Sequence, residues 1–155
     1  MEKNDERVMS LSILSGMAIA AGYAMYFLAM ESAGQIAQVR LRALNFFILL
    51  FGLLITYRAY RKRFTGQMDY LKGFGLGIFT TLVSTFLFAL FLYLYMTYAR
   101  PGLIRELNQT TPFFGQPLNP IMASFVVLIE GICSGVIICF ILMQYYRGDI
   151  SRKNR

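Results

Sequence analysis

The chain has 155 residues, of which 57% are hydrophobic and only 15% are charged. A soluble domain carries about a quarter charged residues, so a mean hydropathy of +0.53 excludes an ordinary water-soluble globule. The sequence contains no histidine, which excludes imidazole ligation of haem, a Ser-His catalytic pair and a histidine metal site. We therefore expect no enzyme activity, no catalytic residues, no metal and no cofactor.

Four apolar segments approach the roughly 20 residues that a transmembrane helix needs. After a polar leader at residues 1–8, the predicted helices cover residues 9–30, 41–60, 68–98 and 121–146, and a basic tail follows at 147–155. The AIAAG segment ending at Gly22 also fits a signal-peptide cleavage site, but eight more apolar residues follow it and the leader is more acidic than basic. The sequence therefore predicts an all-α integral membrane bundle of four transmembrane helices.

The basic residues predict the orientation of these helices. With both termini in the cytoplasm, eleven lysines and arginines lie on the inner side and four on the outer side. The inner residues are Lys3, Arg7, Arg58, Arg61, Lys62, Arg63, Lys72, Arg147, Arg152, Lys153 and Arg155. The outer residues are Arg40, Arg42, Arg100 and Arg105. This asymmetry predicts an N-in, C-in topology, and it makes membrane lipid, not nucleic acid, the expected partner of the net charge of +7.

Small residues repeat at four-residue spacing on three of the predicted helices. The helix-packing candidates are Gly16, Ala20, Gly73, Gly77, Gly131 and Gly135. Such stripes allow two backbones to approach closely where lipid removes the hydrophobic drive for helix association. Packing inside the four-helix bundle is the favoured interpretation, and a contact between two copies of the chain is the alternative.

One carboxylate, Glu130, interrupts the apolar run at residues 121–144. It lies about ten residues into the fourth predicted helix, roughly 14 Å from its start and close to the bilayer midplane. Desolvation disfavours an anion there, so we expect a largely protonated acid at pH 7 that donates one hydrogen bond. When depth in the membrane is counted from the ends of the predicted helices, Tyr23 is the strong polar side chain nearest to Glu130. Ser134 and Thr85 come next.

Two functions fit an intramembrane carboxylate of this kind. In the first, it links helices or contacts another subunit, and the protein is a structural, accessory or assembly component of a homo-oligomer or larger membrane complex. In the second, it is the site of a proton- or cation-linked transporter of small solutes that works as an oligomer. A lone carboxylate without a second acid, a lysine or a proline-broken helix favours the first function.

A family resemblance rests on residues 57–107, YRAYRKRFTGQMDYLKGFGLGIFTTLVSTFLFALFLYLYMTYARPGLIREL. A basic run ends the second helix, Gly66 and Tyr70 follow, glycines open the third helix, and Pro101 lies just past its end. These features resemble an uncharacterised family of small four-helix membrane proteins that is widespread in Bacteroidetes. The resemblance implies a bacterial inner-membrane location and an unassigned function, and it brings no catalytic or ligand residues.

Overall fold

The computed structural model describes residues 2–34, 39–63, 70–110 and 119–153. Within these residues the backbone is almost entirely helical and contains no β-strand. The helices are α1 (Glu2–Ser32), α2 (Val39–Arg63), α3 (Tyr70–Leu94), α4 (Leu103–Thr110) and α5 (Pro120–Lys153). A π-helical turn at Tyr95–Ala99, the π segment, continues α3. The predicted all-α class is confirmed.

Four of these helices are long and apolar enough to cross a membrane. The spans are Glu6–Ser32, Leu44–Lys62, Leu71–Ala99 and Pro120–Tyr145. In hydrocarbon every backbone N–H and C=O group has to be bonded within the chain, and an α-helix meets this condition by itself. The prediction of four transmembrane helices is confirmed, and the architecture is that of a multi-pass membrane protein.

The first and last helices extend beyond the predicted limits of the membrane spans. α1 already begins at Glu2, inside the segment predicted as a leader, and α5 continues to Lys153, through most of the predicted tail. A helix can continue beyond the hydrocarbon, because its backbone hydrogen bonds are made within the helix itself. Apolarity therefore marks where the chain can lie in lipid and does not mark the helix ends.

A short helix, α4, occupies part of the predicted external loop. Its first residue, Leu103, is buried in a small cluster with Leu92 and Met96 from α3 and the π segment. Arg105 on the same helix is exposed. The contact that holds α4 is tertiary, which is why apolar run length did not predict it. Gly66, one of the residues on which the family resemblance rests, lies outside the described residues.

α3 is the central helix of the bundle. In the most apolar 18-residue stretch of its span, 50% is buried inside the bundle. The corresponding fraction is 22–28% for the other three spans. α3 packs extensively on α1 and on α5, whereas α2 packs mainly on α1 and only lightly on α5 and α3. We call the weakly packed boundary between α2 and α5 the α2–α5 seam; it is bordered by Phe46 and Leu49 on α2 and by Val127 and Glu130 on α5.

The core around Tyr57, near the C-terminal end of α2, is closely packed. Tyr57 and Cys139 are fully buried, and the Tyr57 hydroxyl donates a hydrogen bond to the carbonyl of Gly73 (3.0 Å). The hydroxyl of Thr81 donates to the carbonyl of Gly77 (2.9 Å). Such bonds to backbone carbonyls keep hydroxyl groups satisfied in an apolar core.

An aromatic cluster fills the bundle towards the end of α3. It consists of Phe27, Phe88, Phe91 and Tyr95, whose neighbouring ring centroids lie 5.5–6.4 Å apart. Beside this cluster, Glu31 accepts a hydrogen bond from the Tyr95 hydroxyl and forms an ion pair with Arg100 (Oε1–Nη1 2.8 Å). The aromatic cluster and the ion pair together close this end of the bundle.

Candidate functional site

Glu130 lies on the rim of the bundle near the middle of the fourth span. α5 begins at Pro120, and ten residues of α-helix rise about 15 Å. The residue is exposed on the surface of the bundle, whereas the sequence predicts an acid bonded to Tyr23 or a neighbouring hydroxyl. Among the described residues, none forms a hydrogen bond with Glu130. The predicted bond is not formed, because the side chain lies at the opening of a cavity and not in the packed core.

The cavity collects polar side chains from all four spans. Its volume is about 80 Å³. The polar residues that line it are Tyr23 of α1, Asn45 of α2, Thr85 of α3, and Glu130 and Ser134 of α5. Phe46, Leu49, Phe88, Val127 and Gly131 complete its wall. The sequence analysis grouped four residues by their depth along the predicted helices. All four line this one cavity: Glu130, Tyr23, Ser134 and Thr85.

The surroundings of the three predicted hydroxyl groups differ. Tyr23 is buried, and its ring packs on Phe88 with centroids 5.1 Å apart. Thr85 is buried as well, and its hydroxyl donates to the carbonyl of Thr81 (2.8 Å), so its oxygen can still accept a bond from the cavity. Ser134 is half-buried one turn of α5 from Glu130. Tyr23 and Thr85 are therefore fixed by packing, while Glu130 and Ser134 lie towards the opening.

Asn45 is a site residue that sequence reasoning missed. Its Oδ1 atom is buried and has no hydrogen-bond partner among the described residues. A buried acceptor without a partner costs about 1–3 kcal/mol, so this oxygen is an energetically costly feature of the cavity wall. The signal for it was an isolated amide in the apolar run at residues 43–57. Position along the predicted helix did not identify Asn45 as a site residue, because the direction of its side chain depends on the rotation of α2 about its axis.

The cavity opens sideways and is closed along the bundle axis. Phe46 of α2 and Glu130 of α5 both line the cavity and are exposed, and these two helices pack only lightly on each other. Towards one end lie Phe88 and the rest of the aromatic cluster, and towards the other end lies the closely packed core around Tyr57. The opening therefore faces the medium around the bundle, which is lipid for a membrane-spanning chain.

The small residues predicted for helix packing lie at contacts within the chain. Gly16, Ala20, Gly73, Gly77 and Gly135 are buried, and Gly131 is half-buried. A Cβ atom at Gly16 would lie 2.8 Å from Cγ1 of Val83. Cβ atoms at Gly131 and Gly135 would overlap the side chains of Thr85 and Thr81. The α3–α5 packing that forms one wall of the cavity therefore depends on these two glycines.

The chemistry available in the cavity is that of oxygen atoms. The described lining residues contribute one carboxylate, one amide and three hydroxyl groups. Nowhere in the described residues do three His, Cys, Asp or Glu side chains come together. A volume near 80 Å³ has room for about two waters at roughly 30 Å³ each. The cavity can hold a proton, a water or a small ion, or it can offer Glu130 to a group from outside the bundle.

Comparison with known proteins places the chain in a domain of unknown function. The family model described as "Protein of unknown function (DUF4199)" matches residues 11–112. No curated protein and no solved structure matches the chain. The matched segment includes Tyr23, Asn45 and Thr85 but ends before α5, so Glu130 and Ser134 lie outside it. An unassigned function was expected from the sequence, and this part of the expectation is confirmed.

Proposed function

The chain belongs to the DUF4199 family, for which no function is assigned, and from this premise we propose that it is an accessory or assembly component of the membrane. It acts by binding a second copy of itself through the α2–α5 seam, with Glu130 as the polar anchor of the contact. In this role the protein has no catalytic residues. It lies in the bacterial inner membrane with both termini in the cytoplasm, a placement that the distribution of basic residues supports.

The exposure of Glu130 in mid-span carries this proposal. A charged side chain at the centre of a bilayer costs about 3 kcal/mol or more, and the described residues provide no hydrogen bond that lowers this cost. A partner helix packed over the seam would remove the carboxyl group from lipid and supply a hydrogen bond. Interhelical hydrogen bonds in membranes contribute about 0.6–2 kcal/mol each, so Glu130 would stabilise such a contact.

A second copy is the occupant that the proposal names. Most oligomers of soluble proteins are symmetric homo-oligomers, and a two-fold contact brings the same surface of both chains together. Cys133 is exposed and lies three residues after Glu130, hence on the same face of α5. A two-fold contact centred on Glu130 therefore brings the two Cys133 side chains near each other, whereas Cys139 is buried inside each copy.

Thiol cross-linking in native membranes tests the proposal. With a short bifunctional maleimide, we expect the wild-type chain and the Cys139→Ala variant to give a covalent dimer and Cys133→Ala to give none. Glu130→Ala should lower the association constant of the dimer by about threefold to thirtyfold. The cross-linked fraction should fall as a result. Glu130→Gln should preserve it, because the amide keeps hydrogen bonding. The proposal is contradicted if no covalent dimer forms in any variant, or if Glu130→Ala leaves the cross-linked fraction unchanged.

Transport is the second candidate function, and the polar cavity favours it. Five polar side chains from four spans line one cavity, and coupling-ion sites of transporters are built from such groups near the bilayer midplane. The same variant separates the two functions. Glu130→Gln removes titration and keeps hydrogen bonding, so a proton-linked transporter reconstituted in vesicles would lose its pH-dependent flux, while an assembly component would keep its dimer.

A further inference from the structure

We propose that the cavity at Glu130 binds one small, hard, monovalent cation, Na⁺ or Li⁺, as a neutral pair with the carboxylate. The inference rests on the lining of the cavity and does not depend on the proposed assembly role. The ion would be held by the Glu130 carboxylate and Asn45 Oδ1, with the hydroxyl oxygens of Thr85, Ser134 and Tyr23 available as further ligands.

The donor set selects a hard cation. Carboxylate, carbonyl and hydroxyl oxygens are the ligands of hard cations, whereas thiolate and imidazole suit softer metals. The described residues of the lining include neither a cysteine nor a histidine. Cys139, the buried cysteine, packs beside Tyr57 and Gly77, away from the cavity.

Asn45 provides the independent observation that points to a ligand. Its Oδ1 atom is buried without a hydrogen-bond partner among the described residues. An amide oxygen carries lone pairs that require a donor or a cation. A cation between this oxygen and Glu130 would satisfy both groups at once, and it would join α2 to α5 across the seam where direct contact is weak.

Charge and size restrict the ion further. Glu130 is the one carboxylate among the described residues of the lining, so a monovalent ion gives a neutral pair, whereas a divalent ion leaves a net charge that is costly in an apolar medium. The volume of about 80 Å³ accommodates an ion with one or two waters at roughly 30 Å³ each. An organic cation of substrate size does not fit.

Protons compete for the same carboxylate. Among the described residues, the titratable side chains that line the cavity are Glu130 from α5 and Tyr23 from α1. The described lining residues of α2 and α3 have no titratable group; they are Asn45, Phe46, Leu49, Thr85 and Phe88. Protonation of Glu130 removes the negative charge that holds the ion. Binding of Na⁺ should therefore weaken as the pH falls.

Thermal unfolding of the full chain in detergent tests the site. A ligand that binds the folded state raises Tm in a saturable manner. At pH 8 and constant ionic strength, we expect Tm to rise when NaCl or LiCl replaces choline chloride. Ser134→Ala should shift the half-saturating Na⁺ concentration upwards about tenfold, as loss of a supporting ligand does at metal sites. Glu130→Gln should abolish the response.

Glu31→Gln is the matched control, because it removes a carboxylate outside the cavity; it should retain the Na⁺ response. Equal Tm values in NaCl, LiCl and choline chloride, or an unchanged Na⁺ response in both Glu130→Gln and Ser134→Ala, overturn the proposal. The measurement of Tm does not depend on the Cys133 cross-link. The proposed cation site and the proposed dimer can therefore be refuted independently of each other.

Discussion

At the residue scale, two glycines control how closely α5 approaches α3. Gly131 lies against the Thr85 side chain and Gly135 against that of Thr81. Both threonines are buried and donate their hydroxyl hydrogens to backbone carbonyls of their own helix, so their methyl groups are left to pack on the glycines. In lipid, close packing of this kind is a main source of helix association.

Gly131→Ala should destabilise the bundle by about 1–3 kcal/mol, the usual cost of overpacking a close contact. The new Cβ would overlap Cγ2 of Thr85, and Thr85→Ser in the same chain should restore most of the loss because it removes that methyl group. The measurement is unfolding in mixed detergent micelles.

Gly75 provides the matched control for this substitution. A Cβ there meets nothing within 4 Å, so Gly75→Ala should leave stability unchanged or raise it by up to about 1 kcal/mol through helix propensity. If Gly131→Ala behaved like Gly75→Ala, the close α3–α5 packing at the cavity wall would be refuted.

At the element scale, an ion pair joins the end of α1 to the end of α3. The Glu31 side chain is 7% exposed and that of Arg100 is 49% exposed. The π segment closes with a bond from the Arg100 N–H to the Tyr95 carbonyl (3.0 Å). An extra residue in a helical turn rotates the residues after it, and such turns often occur at functional positions. Here the turn brings Tyr95 and Arg100 to the same carboxylate.

The Glu31–Arg100 pair should contribute modestly, because half of Arg100 is in contact with solvent. In a double-mutant cycle of Glu31→Gln and Arg100→Gln, we expect a coupling of about 0.2–1 kcal/mol that decreases with added salt. The measurement is the free energy of unfolding in detergent at low and high ionic strength.

Arg105→Gln, which removes an exposed charge of α4, should change stability by less than about 0.5 kcal/mol. A coupling between Glu31 and Arg100 that is zero at low salt would show that the aromatic cluster alone closes this end of the bundle.

At the scale of the whole molecule, four spans put the start of α1 and the end of α5 on the same side of the membrane. The basic residues predict that this side is the cytoplasm. Cysteines introduced at exposed positions test this, in a background of Cys133→Ala and Cys139→Ala. In intact cells, Gly102→Cys should react with a membrane-impermeant thiol reagent, and Lys62→Cys should react only after lysis.

If Lys62→Cys were labelled in intact cells and Gly102→Cys were protected, the orientation of the chain would be the opposite of the predicted one. Both positions are suited to the comparison, because Gly102 has nothing within 4 Å of a Cβ and Lys62 is exposed at the other end of the bundle. The two outcomes differ in orientation alone and leave the four-helix architecture unaffected.

Run length and the placement of charge were sufficient to determine the number of spans and the all-α class. Both depend on transfer of a segment into lipid, which is a property summed along the chain. Glu130 was found in the same way, since an isolated carboxylate in an apolar run is visible in the sequence. Depth along a helix was sufficient to group Tyr23, Thr85 and Ser134 with it.

Tertiary structure alone decided which way these side chains face. The light packing of α2 on α5 leaves Glu130 exposed and without the hydrogen bond that the sequence predicts. Asn45, whose Oδ1 has no partner among the described residues, lines the same cavity. The folding of α4 onto Leu92 and Met96 is a contact of the same kind. Rotation of a helix about its axis is set by packing against its neighbours, and in a uniformly apolar helix no periodic pattern records that rotation.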